Sequence, residues 1–413
     1  MRIPASKSHT IRALFIATLA DGTSTLSNPL YSGDTDSCRT VCRALGAQIA
    51  EGKDQWTVKG TGGSFAEPHG MIDVGNSGTT LYLALSIAAL ARHAVTFTGD
   101  YQIQRRSAQP LLDALRTLGV EATSLQDNGC APITVRGPIR GGSVSIACPT
   151  SQYLSSLLLA CPCAEGTTTI TVPLLNEQPY VEMTLEWLAR QRITVQRDGF
   201  KQFVVPGGQR YHPFTRDIPA DFSSATFFLV AAAITGGDVT LNGLDMQDTQ
   251  GDKAVVHLLE RMGARIETGP NHVRVRGGAL TGVELDLNAT PDALPALAVA
   301  GCFASGETRI VNVAQARIKE TDRIAVMAAE LRKLGANIEE KPDGMIVREA
   351  PLHGGTVASH DDHRVAMAAA VAGLRARGPV KIEGAEAMSV TFPSFVGLMQ
   401  QLGARMKESG VEK

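Results

Sequence analysis

Aromatic residues make up only 5% of this 413-residue chain, and its seven cysteines include no CxxC pair. An odd set of thiols without metal-type spacing, in a chain too large to need staples, argues against a disulfide framework and a zinc site. Cys38, Cys42, Cys130, Cys148, Cys161, Cys163 and Cys302 are therefore expected as buried free thiols. Charge of either sign is nearly balanced, at a net −2, so there is no electrostatic footprint for nucleic acid or an anionic membrane. Long hydrophobic runs are missing too: the apolar stretches at 81–91 and 227–234 are too short to span a bilayer. Neither a signal peptide nor a transit peptide is legible at the N-terminus, and the expected compartment is the cytoplasm. His360, Asp361, Asp362 and His363 are all ligand types, but no further cluster completes a site, so no metal is expected. What is present is ordinary globular material, 44% hydrophobic and 19% charged, enough for two large cores.

One phrase recurs along the chain: an apolar helix ending in Leu or Met, then Gly, then a short strand. It occurs as ALGAQI, TLGVEA, RMGARI, KLGANI and QLGARM, with the glycines at 46, 119, 263, 335 and 403, which are 73, 144, 72 and 68 residues apart. The long gap is twice the short one, so a sixth, degenerate copy is expected near residue 191, where LARQRITV has lost the glycine. Glycine suits such a helix end because it enters the left-handed region without the cost other residues carry. Units of this size mix strands and helices and are too large for a solenoid repeat. They imply an α/β architecture of two similar lobes with three units each.

Several helices open with anion-binding chemistry. Lys7 and Ser8 precede an apolar helix that contains Arg12, with Ser8 as the expected N-cap. GNSGTT (75–80) offers glycines for close backbone approach and hydroxyls for capping. Thr150, Ser151 and Gln152 open another helix, and His363 and Arg364 a fourth. There is no GxxxxGK[ST] spacing and no strand-to-helix GxGxxG, so nucleotide folds lose ground. The segment ARIKETDR (316–323) concentrates three cations and two carboxylates. Read as helix, it puts Lys319 and Arg323 on one face with Glu320 beside them, a solvated patch or an anion clamp.

These motifs resemble the 5-enolpyruvylshikimate-3-phosphate synthases, also called 3-phosphoshikimate 1-carboxyvinyltransferases. SKSHTIRA, SGDT, GNSGTT, TSQ, QPYVEMTL, DFSSATFFL, QGD, PDALP, RIKETDR, DDHRVAMA and TFPSF resemble family blocks in the family's order, nearly end to end. The resemblance implies two lobes of three βαβαββ subunits with pseudo-threefold symmetry, closing over the substrates. It implies an N-terminal lobe over residues 6–217 and a C-terminal lobe from 1–5 plus 218–413.

The implied reaction transfers the enolpyruvyl group of phosphoenolpyruvate to the 5-hydroxyl of shikimate 3-phosphate, by addition and elimination, with release of phosphate. It belongs to the shikimate pathway to chorismate and aromatic amino acids. The resemblance implies no cofactor and no metal, two small-molecule substrates as partners, and a monomer. By resemblance, Lys7, Ser8, Arg12, Thr150, Ser151, Gln152, Tyr180, Asp292, Gln315 and Lys319 bind shikimate 3-phosphate. Lys7, Asn76, Gly78, Arg106, Gln152, Arg323 and Arg364 bind phosphoenolpyruvate. Asp292 resembles the general base toward the 5-hydroxyl, Glu320 the proton donor to the methylene, and Lys7 touches both substrates. Cations around Asp292 and Glu320 are expected to favour their ionised forms, so Glu320 needs a compensating environment to donate near neutral pH. Asp221 and Ser223 read as cap and hinge, and His363 as a site neighbour.

Some positions depart from the commoner family pattern. Tyr82 stands for an Arg, Ser107 for a Pro, Gln315 for an Asn, and Val390 for a Lys toward phosphoenolpyruvate. Glu177 stands for a Ser that contacts the shikimate phosphate, and is expected to turn aside and pair with a nearby cation. The chain starts six residues before Lys7, where the family usually has another strand, so either the start is truncated or the C-terminal lobe lacks an edge strand. Two alternatives follow. The UDP-N-acetylglucosamine enolpyruvyl transferases would need a catalytic Cys on a mobile loop, with Cys130 the nearest candidate. A noncatalytic ligand-binding relative is suggested by Val390 and the other departures.

Overall fold

Six helices end in the same way, and the computed structural model, which describes residues 1–407, shows why the repeat is spaced as it is. The helices are α1 (Lys7–Leu19), α2 (Gly33–Ala44), α3 (Gly78–Ala88), α4 (Gln109–Thr117), α5 (Ser151–Ala160), α6 (Gln178–Arg190), α7 (Phe222–Thr235), α8 (Ala254–Arg261), α9 (Leu294–Cys302), α10 (Arg323–Lys333), α11 (His363–Gly373) and α12 (Phe395–Gln401). Every even-numbered helix is followed, one residue past its cap, by a left-handed residue. These are Gly46, Gly119, Arg192, Gly263, Gly335 and Gly403, with φ of 106°, 91°, 58°, 102°, 92° and 96°. The degenerate copy thus keeps the conformation after losing the glycine, and Arg192 adopts it at a cost of roughly 1–2 kcal/mol. The odd-numbered helices are instead buried along almost their whole length.

The chain divides into two units, one of Ala5–Pro219 with Thr249–Gly251, the other of Met1–Pro4, Ala220–Asp248 and the chain from Asp252 onward. The first holds three four-stranded sheets of one design: a parallel pair at one edge, then two antiparallel neighbours. They run Thr215–Asp217, Thr23–Ser27, Gln55–Lys59, Gln48–Glu51; then Ile72–Asp73, Val95–Thr98, Ile133–Arg136, Glu121–Ser124; then Gly142–Ser145, Thr168–Thr171, Gln202–Val205, Gln196–Asp198. In the second unit one sheet repeats this design, in the order Glu284–Asp286, Glu307–Val311, Gly344–Arg348, Asn337–Lys341. Another has the three antiparallel strands Asp238–Asn242, His272–Arg276 and Arg265–Gly269. Its edge is taken by residues 1–3: Arg2 bridges Asn242 in parallel, and the Ile3 N–H donates to the Asn242 carbonyl at 3.1 Å. The edge position is therefore present, reduced to a bridge. The last repeat contributes the parallel pair His353–Ala358 and Arg377–Glu383.

Each unit has its own apolar core. Trp56, Phe15, Phe97 and Phe203 lie in the first. In the second, Phe228, Phe392 and Phe395 meet pairwise with centroids 5.7 Å apart in tilted and edge-on packings, the geometry that ring quadrupoles favour. Burying the odd helices along almost their whole length leaves mainly their ends for polar chemistry, which is where most of the sequence motifs fall.

Candidate active site

In the first unit the polar groups gather at the starts of α1, α3 and α5. Ser6 rather than Ser8 caps α1, accepting from the His9 N–H, which leaves the Ser8 hydroxyl in the first turn. Lys7 is paired with Asp34 at 2.8 Å. Arg12 is buried, and its guanidinium donates to Thr184 Oγ1 at 2.9 Å, the Ser8 carbonyl at 3.1 Å, Ser155 Oγ at 3.4 Å and the Tyr180 carbonyl at 3.0 Å. Burial pushes it down to about 10, which keeps it protonated at neutral pH. Arg12 thus ties α1, α5 and α6 together.

The α3 start is capped by Ser77. Asn76 Nδ2 donates to Asp100 Oδ2 and Gln102 Oε1, both at 2.6 Å. Gly78 faces Arg106 so closely that a Cβ there would lie 2.7 Å from Nη1. Two departures from the family pattern meet behind Arg106: the Tyr82 O–H donates to the Ser107 carbonyl at 3.3 Å, as does the Tyr153 O–H at 2.5 Å. At α5, Thr150 is the N-cap, Gln152 Nε2 donates to Thr79 Oγ1 at 2.9 Å, and Ser151 is buried. Glu177 turns inward to this helix start. Its Oε2 accepts from Thr150 Oγ1 at 3.2 Å, the Ser151 N–H at 3.1 Å and Ser151 Oγ at 2.8 Å.

In the second unit Asp292 sits in the 3₁₀ turn Pro291–Ala293 that leads into α9. Its Oδ1 is 2.7 Å from Arg323 Nη1 and its Oδ2 2.8 Å from Arg364 Nη2. Arg323 also pairs with Glu320 and, through Nε at 2.8 Å, with Asp362. Asp362 is the N-cap of α11, accepting from the Arg364 N–H at 2.8 Å, and it accepts from Thr321 Oγ1 at 3.1 Å. Burial would raise the Asp292 carboxyl, but the fields of Arg364, then Arg323 and Lys319, outweigh it and hold it below the usual carboxylate range. Burial would likewise lower Arg323, and the carboxylates of Asp362, Glu320 and Asp292 raise it instead.

ARIKETDR is not one helix. A 3₁₀ segment covers Ala314–Ile318, and α10 starts at Arg323 with Asp322 as its cap, accepting from the Ala325 N–H. Lys319 and Arg323 therefore do not share a helical face, and an irregular bend carries Lys319 to Asp322. Gln315 is buried and donates to the Asn288 carbonyl at 3.0 Å. Asp221 caps α7, accepting from the Ser224 N–H at 3.1 Å, and Ser223 and His363 are buried. Val390 is half-buried at the end of the 3₁₀ turn Ala385–Val390.

Direct bonds thus join Asp292, Glu320, Arg323 and Arg364 into one cluster, with Lys319 acting through its field. Sequence reasoning gave no role to Asp34 and Asp362, although both lie in quoted blocks, SGDT and DDHR; an acidic residue at a helix start is the available signal. Cys130 is buried, and that burial raises its thiol above the ordinary range, the opposite of an activated nucleophile. No helix among the described residues is long and apolar enough to cross a membrane.

The sequence model of the family described as EPSP synthase (3-phosphoshikimate 1-carboxyvinyltransferase) matches residues 1–399. The chain is 50% identical over 405 residues to the 3-phosphoshikimate 1-carboxyvinyltransferase of Ruminiclostridium cellulolyticum, covering 98% of this chain and 96% of the relative. Identity to the protein of that name in Acetivibrio thermocellus is 52% over 404 residues, with the same coverage. Among solved structures, an EPSP synthase from Acinetobacter baumannii superposes with a TM-score of 0.82 at 28% identity, over 98% of this chain and 95% of that one.

Proposed function

The chain belongs to the EPSP synthase family, and on that footing we propose how its residues divide the work. The enzyme transfers the enolpyruvyl group of phosphoenolpyruvate to the 5-hydroxyl of shikimate 3-phosphate and releases phosphate, a step of the shikimate pathway. The observation that carries the division of labour is Asp292, a carboxylate held ionised by two arginines at 2.7 and 2.8 Å.

The acceptor is held by Lys7, Ser8, Thr150, Ser151, Gln152 and Tyr180, with Asp292, Gln315 and Lys319. Arg12 serves as a positioning residue, since three of its hydrogen bonds run to α5 and α6 and a fourth to the Ser8 carbonyl of its own helix. Thr150 and Ser151 present two hydroxyls and the Ser151 N–H at a helix start, a natural seat for the acceptor's phosphate. Phosphoenolpyruvate is held by Lys7, Asn76, Gly78, Arg106, Gln152, Arg323 and Arg364. Both sets serve one reaction.

Asp292 takes the proton of the 5-hydroxyl as that oxygen bonds to C2 of phosphoenolpyruvate, and Glu320 delivers a proton to the methylene carbon, giving a tetrahedral intermediate. Loss of a proton from the new methyl group and departure of phosphate then restore the double bond in the product. Arg323 and Arg364 have a second task. Ground-state pairing with them makes Asp292 a weak base; anionic groups of phosphoenolpyruvate that draw the guanidinium groups onto themselves loosen that pairing and make Asp292 more basic. The same transfer takes Arg323 off Glu320, leaving that carboxyl better able to hold the proton it must donate. We place the enzyme in the cytoplasm and take a monomer as the working species, which sedimentation checks.

Phosphate release is the direct test. With phosphoenolpyruvate present, shikimate 3-phosphate should trigger it and UDP-N-acetylglucosamine should not. Silence with both acceptors would overturn the enzymatic reading, and release with the nucleotide sugar alone would reassign the acceptor.

A further inference from the structure

Glu177 enters α6 from a left-handed backbone conformation, φ 59° and ψ 40°, and its side chain does not cap its own helix. It is 2% exposed. A single carboxylate oxygen instead collects three donors at the start of α5: the Thr150 hydroxyl, the Ser151 hydroxyl and the Ser151 N–H. These are the donors assigned above to the acceptor's phosphate. Two anions cannot share them, because like charges at contact distance inside a protein repel strongly and each donor can satisfy one of them fully. The first turn of α6 is held independently, by Arg12 through the Tyr180 carbonyl at 3.0 Å, so the Glu177 side chain can leave without the helix moving.

We propose that Glu177 is a resident anion in the phosphate seat, which the acceptor's phosphate must displace, and that it thereby sets acceptor selectivity. A phosphate dianion brings more charge and more acceptor oxygens than a carboxylate and wins the exchange. A carboxylate or an unphosphorylated hydroxyl brings less charge and does not; nor does free sulfate, which matches the phosphate in charge but lacks the acceptor's other contacts to hold it against a Glu177 tethered beside the donors at a high effective concentration. The inference rests on the reading that Thr150 and Ser151 receive that phosphate.

The test compares Glu177→Ser, Glu177→Gln and Ser151→Ala with the unmodified protein. Binding of shikimate 3-phosphate is titrated calorimetrically, turnover is followed by phosphate release, and sulfate is added in thermal melts. Glu177→Ser should bind the acceptor about tenfold tighter, the change expected if one charge-assisted contact no longer competes. Its kcat should stay within about threefold, so that the change falls on acceptor KM. Sulfate should raise the melting temperature of Glu177→Ser and leave that of the unmodified protein unmoved. Glu177→Gln keeps the shape without the charge and should tighten binding as well, which maintains the test if the serine variant does not fold. Should Ser151→Ala weaken acceptor binding while neither Glu177 variant strengthens it, Glu177 is a structural brace and the inference fails alone. If Ser151→Ala leaves acceptor binding unchanged, the phosphate-seat reading fails, and the inference with it.

Discussion

Oδ1 of Asp292 lies 2.7 Å from Nη1 of Arg323, while its Oδ2 reaches Arg364 at 2.8 Å. Each oxygen of the proposed base is thus engaged by a guanidinium. Replacing Asp292 with Asn or Ala should lower kcat by about 10²- to 10⁴-fold, the range for a lost acid–base group, while shikimate 3-phosphate still binds by calorimetry. Full turnover in Asp292→Asn would remove Asp292 from the chemistry.

The same pairing has a pH signature. The folded carboxyl is held below its ordinary value because Arg364, Arg323 and Lys319 outweigh the effect of burial. A depressed carboxylate stabilises the fold fully above its unfolded pKa of about 3.9, and that stabilisation is lost as pH falls through the lower folded value. The stability difference between the unmodified protein and Asp292→Asn, from urea melts, should be constant from pH 7 to about 5 and shrink below about 4. A difference that persists unchanged in acid would mean that it comes from packing.

Arg323 is the centre of the cluster, 1% exposed and paired with Asp292, Glu320 and Asp362. Removing it leaves three carboxylates facing one another. Arg323→Met should cost about 3–5 kcal/mol in denaturant melts, the scale for stranding buried partners. Arg323→Lys should recover only part of this, because a single ammonium cannot span three carboxylates as a planar fork does. Both variants should raise the KM for phosphoenolpyruvate. A wild-type melt for Arg323→Met would mean the carboxylates find other partners.

How far the chain could be read before its structure depended on whether the determinant was local. The repeat was legible because a left-handed helix exit is a local demand, and Arg192, at φ 58°, shows the demand outlasting the glycine that usually meets it. The bend at residues 319–322 was misread as helix because cation spacing was weighed above the cap that Asp322 offers the Ala325 N–H. The ion pairs of Asp34 and Asp362 were not foreseen for a different reason. Their partners, Lys7 and Arg323, lie 27 and 39 positions away, and only packing of buried helices brings their ends together. Glu177 is out of place in the sequence, but the expected turn aside toward a cation is not the one its Oε2 takes: it turns into the start of α5, and the Ser151 N–H that donates to it belongs to another helix.

The thiols give a prediction that separates enzyme classes. Burial pushes Cys148, Cys161 and Cys302 up to about 12 and Cys163 to about 11, and raises Cys130 as well. Such thiols stay protonated at pH 8 and react slowly, since the thiolate is the nucleophile. Iodoacetamide at pH 8 should leave turnover intact while labelling all seven cysteines once urea is added. Rapid inactivation with label at Cys130 would revive a cysteine-dependent transfer.

Gly78 tests the assignment of Arg106. A Cβ at this position would lie 2.7 Å from Arg106 Nη1, closer than nonbonded carbon and nitrogen atoms approach, so Gly78→Ala must push the guanidinium aside. The helix itself should tolerate the change, because Gly78 opens α3 with an ordinary backbone φ and alanine favours helix. Behind Arg106, the Ser107 carbonyl is held by the hydroxyls of Tyr82 and Tyr153, which limits how far the backbone can follow. The displacement should therefore fall on the side chain, raising the KM for phosphoenolpyruvate by about tenfold, worth about 1.4 kcal/mol, with little change in acceptor affinity or melting temperature. Tyr153→Phe, which frees the Ser107 carbonyl from one of its two donors, should in combination with Gly78→Ala restore part of that affinity. If Gly78→Ala binds phosphoenolpyruvate normally, Arg106 does not contact it.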